Sequence, residues 1–510
     1  MPMTDLLLAA LVEVFAWQNL LAMIVGVIGG IVIGALPGLT ATMGIAILIP
    51  LTFTMEPLVA LGMVAGIYNG GIYGGAVPAI LLGVPGTSSS IPTTFDGVPL
   101  ARRGEADNAL RISAWSSAVG GIASGVALLI LAPPLATVTL LFGPAEYFWL
   151  ALFGMCSIAV LLGADPLKGL ISAAIGLLIG TIGIDSVSGH ERFTFDIFYL
   201  TGGFNFIVLL AGLYGIPPAI QLAQSAITSL AKGSDLSIRR AENRFTDWKS
   251  LVPTWARSSG IGIVVGILPG VGGTMAAFLS YNEARRADKH PDSFGKGSYK
   301  GVAASECGNN ADNASALIPT LTLGVPGNAV AAVIMGAFLV HGLQPGPGLF
   351  RNEPVLVYAF ILQMIATAAL LPILGGLIAV RMFAPVLKLP QQLIAPVVIC
   401  LSVIGVFTIQ NSLFDIYALI GFGVLGYLMQ SAGFPLAPVV LGVILGPMAE
   451  QQLRLALIIA RGDTLAIASS PISMTLIGLI LLVLLVPLVR LIRARRRPGG
   501  GAPGPGRSPM

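Results

Sequence analysis

Leu82-Gly83-Val84-Pro85-Gly86 recurs as Leu323-Gly324-Val325-Pro326-Gly327, an offset of 241 residues, and Gly34-Ala35-Leu36-Pro37-Gly38 recurs as Gly266-Ile267-Leu268-Pro269-Gly270, an offset of 232. In the 241-residue register Asn69 faces Asn310 and Pro78 faces Pro319. The nine-residue difference between the offsets fits the longer segment 282–300 of the second half. Matched motifs in two halves mark an internal repeat. Each motif interrupts an apolar run. Proline removes a backbone donor and clashes with the preceding turn, so each predicts a broken helix whose freed backbone groups can meet a ligand.

The chain is 55% hydrophobic and 10% charged over 510 residues, with mean hydropathy +0.90. Soluble domains carry about 25% charged residues. Long apolar runs recur from end to end, so the expected fold is an all-α polytopic membrane protein without a separate soluble domain. The 64 Gly and 35 Pro are spread along the chain, which fits close helix packing and broken helices rather than collagen or disorder. Cys156, Cys307 and Cys400 are too far apart for a disulfide framework or a metal motif. The first apolar segment lacks a basic region before it, so no cleaved signal peptide is expected.

Expected spans are 112–131, 147–162, 170–184, 204–230, 355–380, 393–409, 416–429, 435–459 and 472–491. Residues 6–15 read as an interfacial start. Residues 20–53 and 58–91 read as interrupted segments, the latter broken both at Asn69-Gly70-Gly71 and at Gly83–Gly86. Residues 96–111 and 282–300 read as loops. The expected division is a first transmembrane repeat over 1–232, a cytoplasmic linker over 233–253, a second repeat plus final helix over 254–491, and a basic, disordered tail over 492–510. Arg490, Arg493, Arg495, Arg496 and Arg497 follow an apolar helix, the placing of a cytoplasmic lipid-facing anchor rather than of a nucleic-acid site.

Basic residues assign the sides. The loop after the first Val-Pro-Gly carries Arg102, Arg103 and Arg111, whereas the loop after the second carries Arg351 alone. Between the motifs the pattern flips. Residues 54–57 carry none, and 282–300 carry Arg285, Arg286, Lys289, Lys296 and Lys300. Equivalent loops therefore fall on opposite faces, the pattern of an inverted-topology repeat in secondary transporters. Residues 255–281 read as an interrupted segment with Lys249 and Arg257 before its break and Arg285 and Arg286 after it, which predicts a re-entrant hairpin with Leu268-Pro269-Gly270 near its tip. By inversion, 20–53 is a hairpin entering from the other side.

The polar centre is Ser305-Glu306-Cys307-Gly308-Asn309-Asn310-Ala311-Asp312-Asn313, two acids and three amides within a chain otherwise almost wholly apolar. Polar groups at membrane depth are costly and point to function. A helix that restarts after a Pro-Gly break offers unpaired N–H groups and a positive dipole, which suit a carboxylate without Lys or Arg. Candidate substrate contacts are Gly38, Thr40, Asn69, Gly86, Thr87, Ser88, Gly270, Thr274, Asn310, Gly327 and Asn328. Candidate cation contacts are Asn309, Asn313, Asp312 and Glu306, with no cofactor beyond a bound sodium ion. The alternatives are ordinary helix caps for the hydroxyls, interhelical hydrogen bonds for the amides, and a plain loop acid for Glu306. His190-Glu191 lacks the second His of a zinc helix, His341 sits at an outer boundary, and Gly270–Thr274 lacks the Lys of a phosphate loop. No nucleophile elbow or Cys/His dyad is visible, so no enzyme is expected.

Glu306 and Asn309-Asn310, followed by Ala316-Leu317-Ile318-Pro319-Thr320-Leu321 and Leu323–Gly327, resemble the large membrane subunit of tripartite tricarboxylate transporters. So do Tyr73-Gly74-Gly75-Ala76-Val77-Pro78, Pro85-Gly86-Thr87, Asp96-Gly97 with Pro99-Leu100-Ala101, and His341-Gly342-Leu343-Gln344-Pro345-Gly346-Pro347. The resemblance covers roughly residues 15 to 490. It implies a permease of the bacterial inner membrane; the basic cluster after the last helix places the C-terminus in the cytoplasm, and the N-terminus is expected in the periplasm. It also implies a small integral membrane subunit, a periplasmic solute-binding protein, and cation-coupled uptake of tri- or dicarboxylates. Cys307-Gly308 stands where small Ala residues are usual in that family, and Asp312-Asn313 adds polarity, which leaves substrate and ion open. A stand-alone carboxylate carrier or channel and, less favoured, an intramembrane enzyme are the alternatives. Rocking and elevator motion are both open.

Overall fold

The computed structural model describes residues 3–36, 38–161, 165–185, 188–228, 244–378 and 391–495. Pro37, the first part of the expected linker and the tail beyond 495 lie outside them. The first half runs α1 (Met3–Val14), α2 (Trp17–Ala35), α3 (Ala41–Thr52), α4 (Pro57–Gly74), α5 (Ala76–Leu81), α6 (Ile91–Arg102), α7 (Ala106–Thr139), α8 (Pro144–Leu161), α9 (Pro166–Gly180) and α10 (Phe206–Thr228). The second runs α11 (Val252–Ile267), α12 (Gly272–Ala287), α13 (Tyr299–Ser315), α14 (Leu317–Leu323), α15 (Ala329–Val340), α16 (Pro347–Asn352), α17 (Pro354–Leu371), α18 (Gln391–Gln410), α19 (Leu413–Ser431), α20 (Ala437–Ile459) and α21 (Pro471–Arg495). Among the described residues the exception to the all-α expectation is a two-residue antiparallel pair, Gly183–Ile184 with Glu191–Arg192. Seven helical stretches among those residues are long and apolar enough to cross a membrane. The chain is a multi-pass membrane protein.

The paired motifs fold alike. Gly38 and Gly270 have φ of +93° and +86°, and Gly83 and Gly324 have +71° and +69°, a region that favours glycine. Val84 N–H donates to Pro78 O and Val325 N–H to Pro319 O, both at 3.3 Å. Gly86 N–H donates to Gly75 O at 3.1 Å, and Gly327 N–H to Ala316 O at 3.3 Å. Leu36 N–H donates to Ile33 O at 3.2 Å, and Leu268 N–H to Val265 O at 3.1 Å. The interrupted segments 20–53 and 255–281 are both helix–break–helix, α2/α3 and α11/α12.

Helix packing crosses between the halves. α4 packs on α2 and on α17, and α13 packs on α11 and on α7. Glycine sets these approaches. A Cβ at Gly120 would lie 2.1 Å from Cys307 O, and one at Gly34 would lie 2.1 Å from Gly71 O. α13 is the central helix, with every residue from Gly301 to Ser315 buried.

Three local expectations are corrected. Asn69-Gly70-Gly71 does not interrupt α4; these glycines admit the backbones of α2 and α3, a Cβ at Gly70 meeting Val27 O at 2.4 Å. Residues 96–111 are mostly helical, because Asp96 turns inward to bind backbone rather than outward to water. The charged stretch 282–300 begins as the last turns of α12 and ends in α13.

Candidate functional site

Four helices start beside one cavity of about 180 Å³. Thr40, Ala41 and Thr42 come from the start of α3. Thr87, Ser88 and Ser89 come from the turn leading into α6. Val271, Gly272, Gly273 and Thr274 come from the start of α12, and Asn328, Ala329 and Val330 from that of α15. Each start follows one of the four Pro-Gly motifs. α4 adds Tyr68 and Ile72, and α13 adds Asn309, Asp312 and Asn313. The volume lies below the 300–1,000 Å³ typical of drug-sized pockets, so it suits a small solute.

The lining is built on local capping chemistry. Thr40 Oγ1 accepts from Met43 N–H at 3.3 Å, and Asn328 Oδ1 accepts from Ala331 N–H at 2.8 Å. Asn328 Nδ2 donates to Asp312 Oδ2 at 2.8 Å and to Tyr68 OH at 3.1 Å. Ser88 Oγ and Thr274 Oγ1 touch at 2.9 Å, joining the two halves. Thr87 Oγ1 lies 3.1 Å from Ser89 Oγ and 2.9 Å from Ser90 Oγ.

Three buried polar atoms of the lining residues have no hydrogen-bond partner: Asn309 Nδ2, Asp312 Oδ1 and Asn313 Oδ1. Buried polar atoms are normally satisfied, so three unpaired ones at one cavity call for partners from outside the chain, whether water, ligand or ion. Two are oxygens of the kind that bind hard cations, and the third is a donor. Among the described residues no Lys or Arg lines the cavity, and Asp312 is its one carboxylic acid. Among the described residues the positive potential at the cavity therefore comes from the four helix starts.

The expected site residues divide into two groups. Thr40, Thr87, Ser88, Thr274, Asn328, Asn309, Asp312 and Asn313 line the cavity. Gly38, Asn69, Gly86, Gly270, Gly327, Asn310 and Glu306 do not. The glycine N–H groups at three breaks are used internally: besides Gly86 and Gly327, Gly270 N–H donates to Gly327 O at 2.8 Å. The N–H groups expected to face ligand are those just beyond, on the first turns of the restarted helices.

Asn69 and Asn310 stand behind the lining. Asn69 Nδ2 donates to Met364 O at 3.0 Å and to Thr367 Oγ1 at 2.9 Å on α17, while Asn313 Nδ2 donates to Asn69 Oδ1 at 2.9 Å. Asn310 Nδ2 donates to Glu306 O at 3.0 Å and Asn309 Oδ1 at 3.2 Å. Glu306 is fully buried between α6 and α7. Thr93 Oγ1 donates to its Oε1 at 2.5 Å and Ser117 Oγ to its Oε2 at 3.2 Å. Tyr68 escaped the sequence reading because an aromatic in an apolar run reads as core. The 241-residue register, which sets it opposite Asn309, was the signal for it.

Comparison with known proteins agrees with this architecture. The model of the tripartite tricarboxylate transporter TctA family matches residues 20–441. An uncharacterized 52.8 kDa protein of the TAR-I ttuC' 3' region of Agrobacterium vitis is 38% identical over 464 residues, covering 90% of this chain and 91% of the relative. An uncharacterized protein of the TAR-II ttuC' 3' region of the same organism is 39% identical over 218 residues, covering 43% of this chain and 90% of the relative. No solved structure matches. The chain belongs to the tripartite tricarboxylate transporter TctA family.

Proposed function

We propose that this chain is the translocating subunit of a cation-coupled importer of small di- or tricarboxylates. The observation that carries the reading is the convergence of four helix starts on a cavity that, among the described residues, has no basic side chain and one carboxylate, Asp312. Helix starts favour a carboxylate ligand. Asp312 opposes one. At a separation of about 4 Å, two unit charges at an effective dielectric of 20 interact by about 4 kcal/mol. A cation shared by Asp312 Oδ1 and Asn313 Oδ1 removes that repulsion and supplies the missing partners of both oxygens. Substrate and cation then bind together, and their coupling follows from charge.

The two repeats are inverted in this reading. The flipped Lys/Arg pattern of equivalent loops supports the inversion, while the duplicated hydrogen bonds at the breaks support the repeat itself. The family supports operation in the bacterial inner membrane with a small membrane subunit and a periplasmic solute-binding protein. Catalysis has no part in this reading; the site residues bind and orient.

The test is uptake of labelled citrate into proteoliposomes holding the chain and its small subunit. The solute-binding protein is added or withheld, and a sodium or proton gradient is imposed. Uptake that needs both the binding protein and one cation gradient supports the proposal. Uptake indifferent to both cations overturns the coupling.

A further inference from the structure

A second cavity, of about 380 Å³, shares no lining residue with the first. It lies where the end of α3, the segment before α10 and the start of α19 meet. Its walls are aromatic: Phe53, Tyr199, Phe206 and Phe414. Phe414 is fixed by stacking on Tyr199, with centroids 5.3 Å apart and planes at 10°, and on Phe204 at 6.2 Å and 11°. Among the described residues Asp415 is the one charged residue of the lining. It is 6% exposed, and its Oδ2 is buried without a hydrogen-bond partner.

Asp415 lies in the first turn of α19, where the helix dipole tolerates an acid. A capping carboxylate, however, accepts from the backbone N–H groups of that turn, and Oδ2 accepts from none. The unpaired oxygen and the aromatic faces therefore call for the same thing, a positive group inside the cavity. An anion is repelled by Asp415. A bare divalent ion wants six or more oxygen ligands, and the lining supplies one carboxylate and two amides, Asn205 and Gln410.

We infer that this cavity is a binding site for a primary alkylammonium group, with Asp415 as counter-charge and Tyr199, Phe206 and Phe414 around the alkyl stem. A primary ammonium has three donors on a flexible stem, which matches one carboxylate and two amides at an aromatic wall. The group has two sources, a free amine or a lysine side chain of a protein docked on this end of the bundle. The inference is independent of the carboxylate cavity.

The experiment is saturation-transfer NMR with n-butylammonium chloride on the detergent-solubilised full chain. Controls are n-butanol and sodium chloride at matched ionic strength. Saturable binding of the ammonium and none of the alcohol is expected, weakened at least tenfold in Asp415→Asn and in Phe414→Leu. Thermal unfolding of both variants reports folding. Binding unchanged in a folded Asp415→Asn variant, or equal binding of butanol, overturns the site. Uptake driven by native and by lysine-acetylated solute-binding protein separates the sources. A loss on acetylation that Asp415→Asn reproduces assigns a docked lysine, and an unaltered rate assigns a free amine.

Discussion

Asn328 holds Asp312 in place: its Nδ2 donates to Asp312 Oδ2 at 2.8 Å while its Oδ1 receives Ala331 N–H at 2.8 Å. One side chain thus caps α15 and fixes the acid of α13. Asn328→Asp keeps the cap but sets a second carboxylate against Asp312. It is expected to cut carboxylate uptake at least tenfold and to lower thermal stability, because the two buried carboxylates repel and Asp312 Oδ2 loses its donor. Asn328→Ala loses these contacts and the one to Tyr68 OH, and an N-cap is worth about 1 kcal/mol. Uptake kinetics with a parallel unfolding measurement separates the two effects. Undiminished uptake in Asn328→Asp would count against an anion beside Asp312.

Ser88 and Thr274 touch across the cavity at 2.9 Å, one from each half. Replacing both with cysteine sets two thiols at the same contact, within reach of a disulfide. Oxidant is expected to crosslink them and stop uptake, and reductant to restore it. Crosslinking with transport intact would mean that the two helix starts do not separate during turnover.

Asn69 and Asn310 do not line the cavity, so their loss acts through Asn313 and the α4–α17 contact. Asn69→Ala strips Asn313 Nδ2 of its partner on α4 and removes the bonds that Asn69 Nδ2 donates to Thr367 Oγ1 and Met364 O on α17. The expected result is a stability loss of about 1–3 kcal/mol, with a weakened cation response and a smaller change in substrate KM. A large change in KM alone would place Asn69 in direct contact with substrate.

Gly120 and Gly29 form a matched pair for testing packing. A Cβ at Gly120 presses on Cys307 O at 2.1 Å, whereas one at Gly29 meets nothing within 4 Å. Gly120→Ala is expected to cost about 1–3 kcal/mol, the range for overpacking. Gly29→Ala is expected to be neutral within about 0.5 kcal/mol. Equal melting temperatures would refute the α7–α13 approach.

Much of this was legible in the sequence where a physical requirement leaves a residue signature. The Pro-Gly motifs mark the breaks because proline cannot continue a helix and glycine alone suits a φ near +70° to +90°. Glycine also has a second use, which misled the reading of Asn69-Gly70-Gly71: close helix contact with no break at all. Asp96 was equally opaque. An acid near arginines reads as loop, yet its Oδ1 accepts from the N–H groups of Gly295, Gly297 and Ser298 at 2.7–2.8 Å and its Oδ2 from Tyr281 OH at 2.8 Å. Such long-range pairing leaves no local pattern. The division between lining residues and the amides behind them was hidden for the same reason, since one turn of α13 separates Asn309 from Asp312 and the neighbouring Asn310 points elsewhere.

The most direct measurement is citrate binding to the purified protein with sodium varied at fixed pH and with pH varied at fixed sodium, in wild type and in Asp312→Asn. The expected result is that one of the two cations tightens citrate binding at least tenfold in wild type and that Asp312→Asn abolishes this dependence. Citrate binding that ignores both cations, or an Asp312→Asn variant that retains the full response, would contradict it.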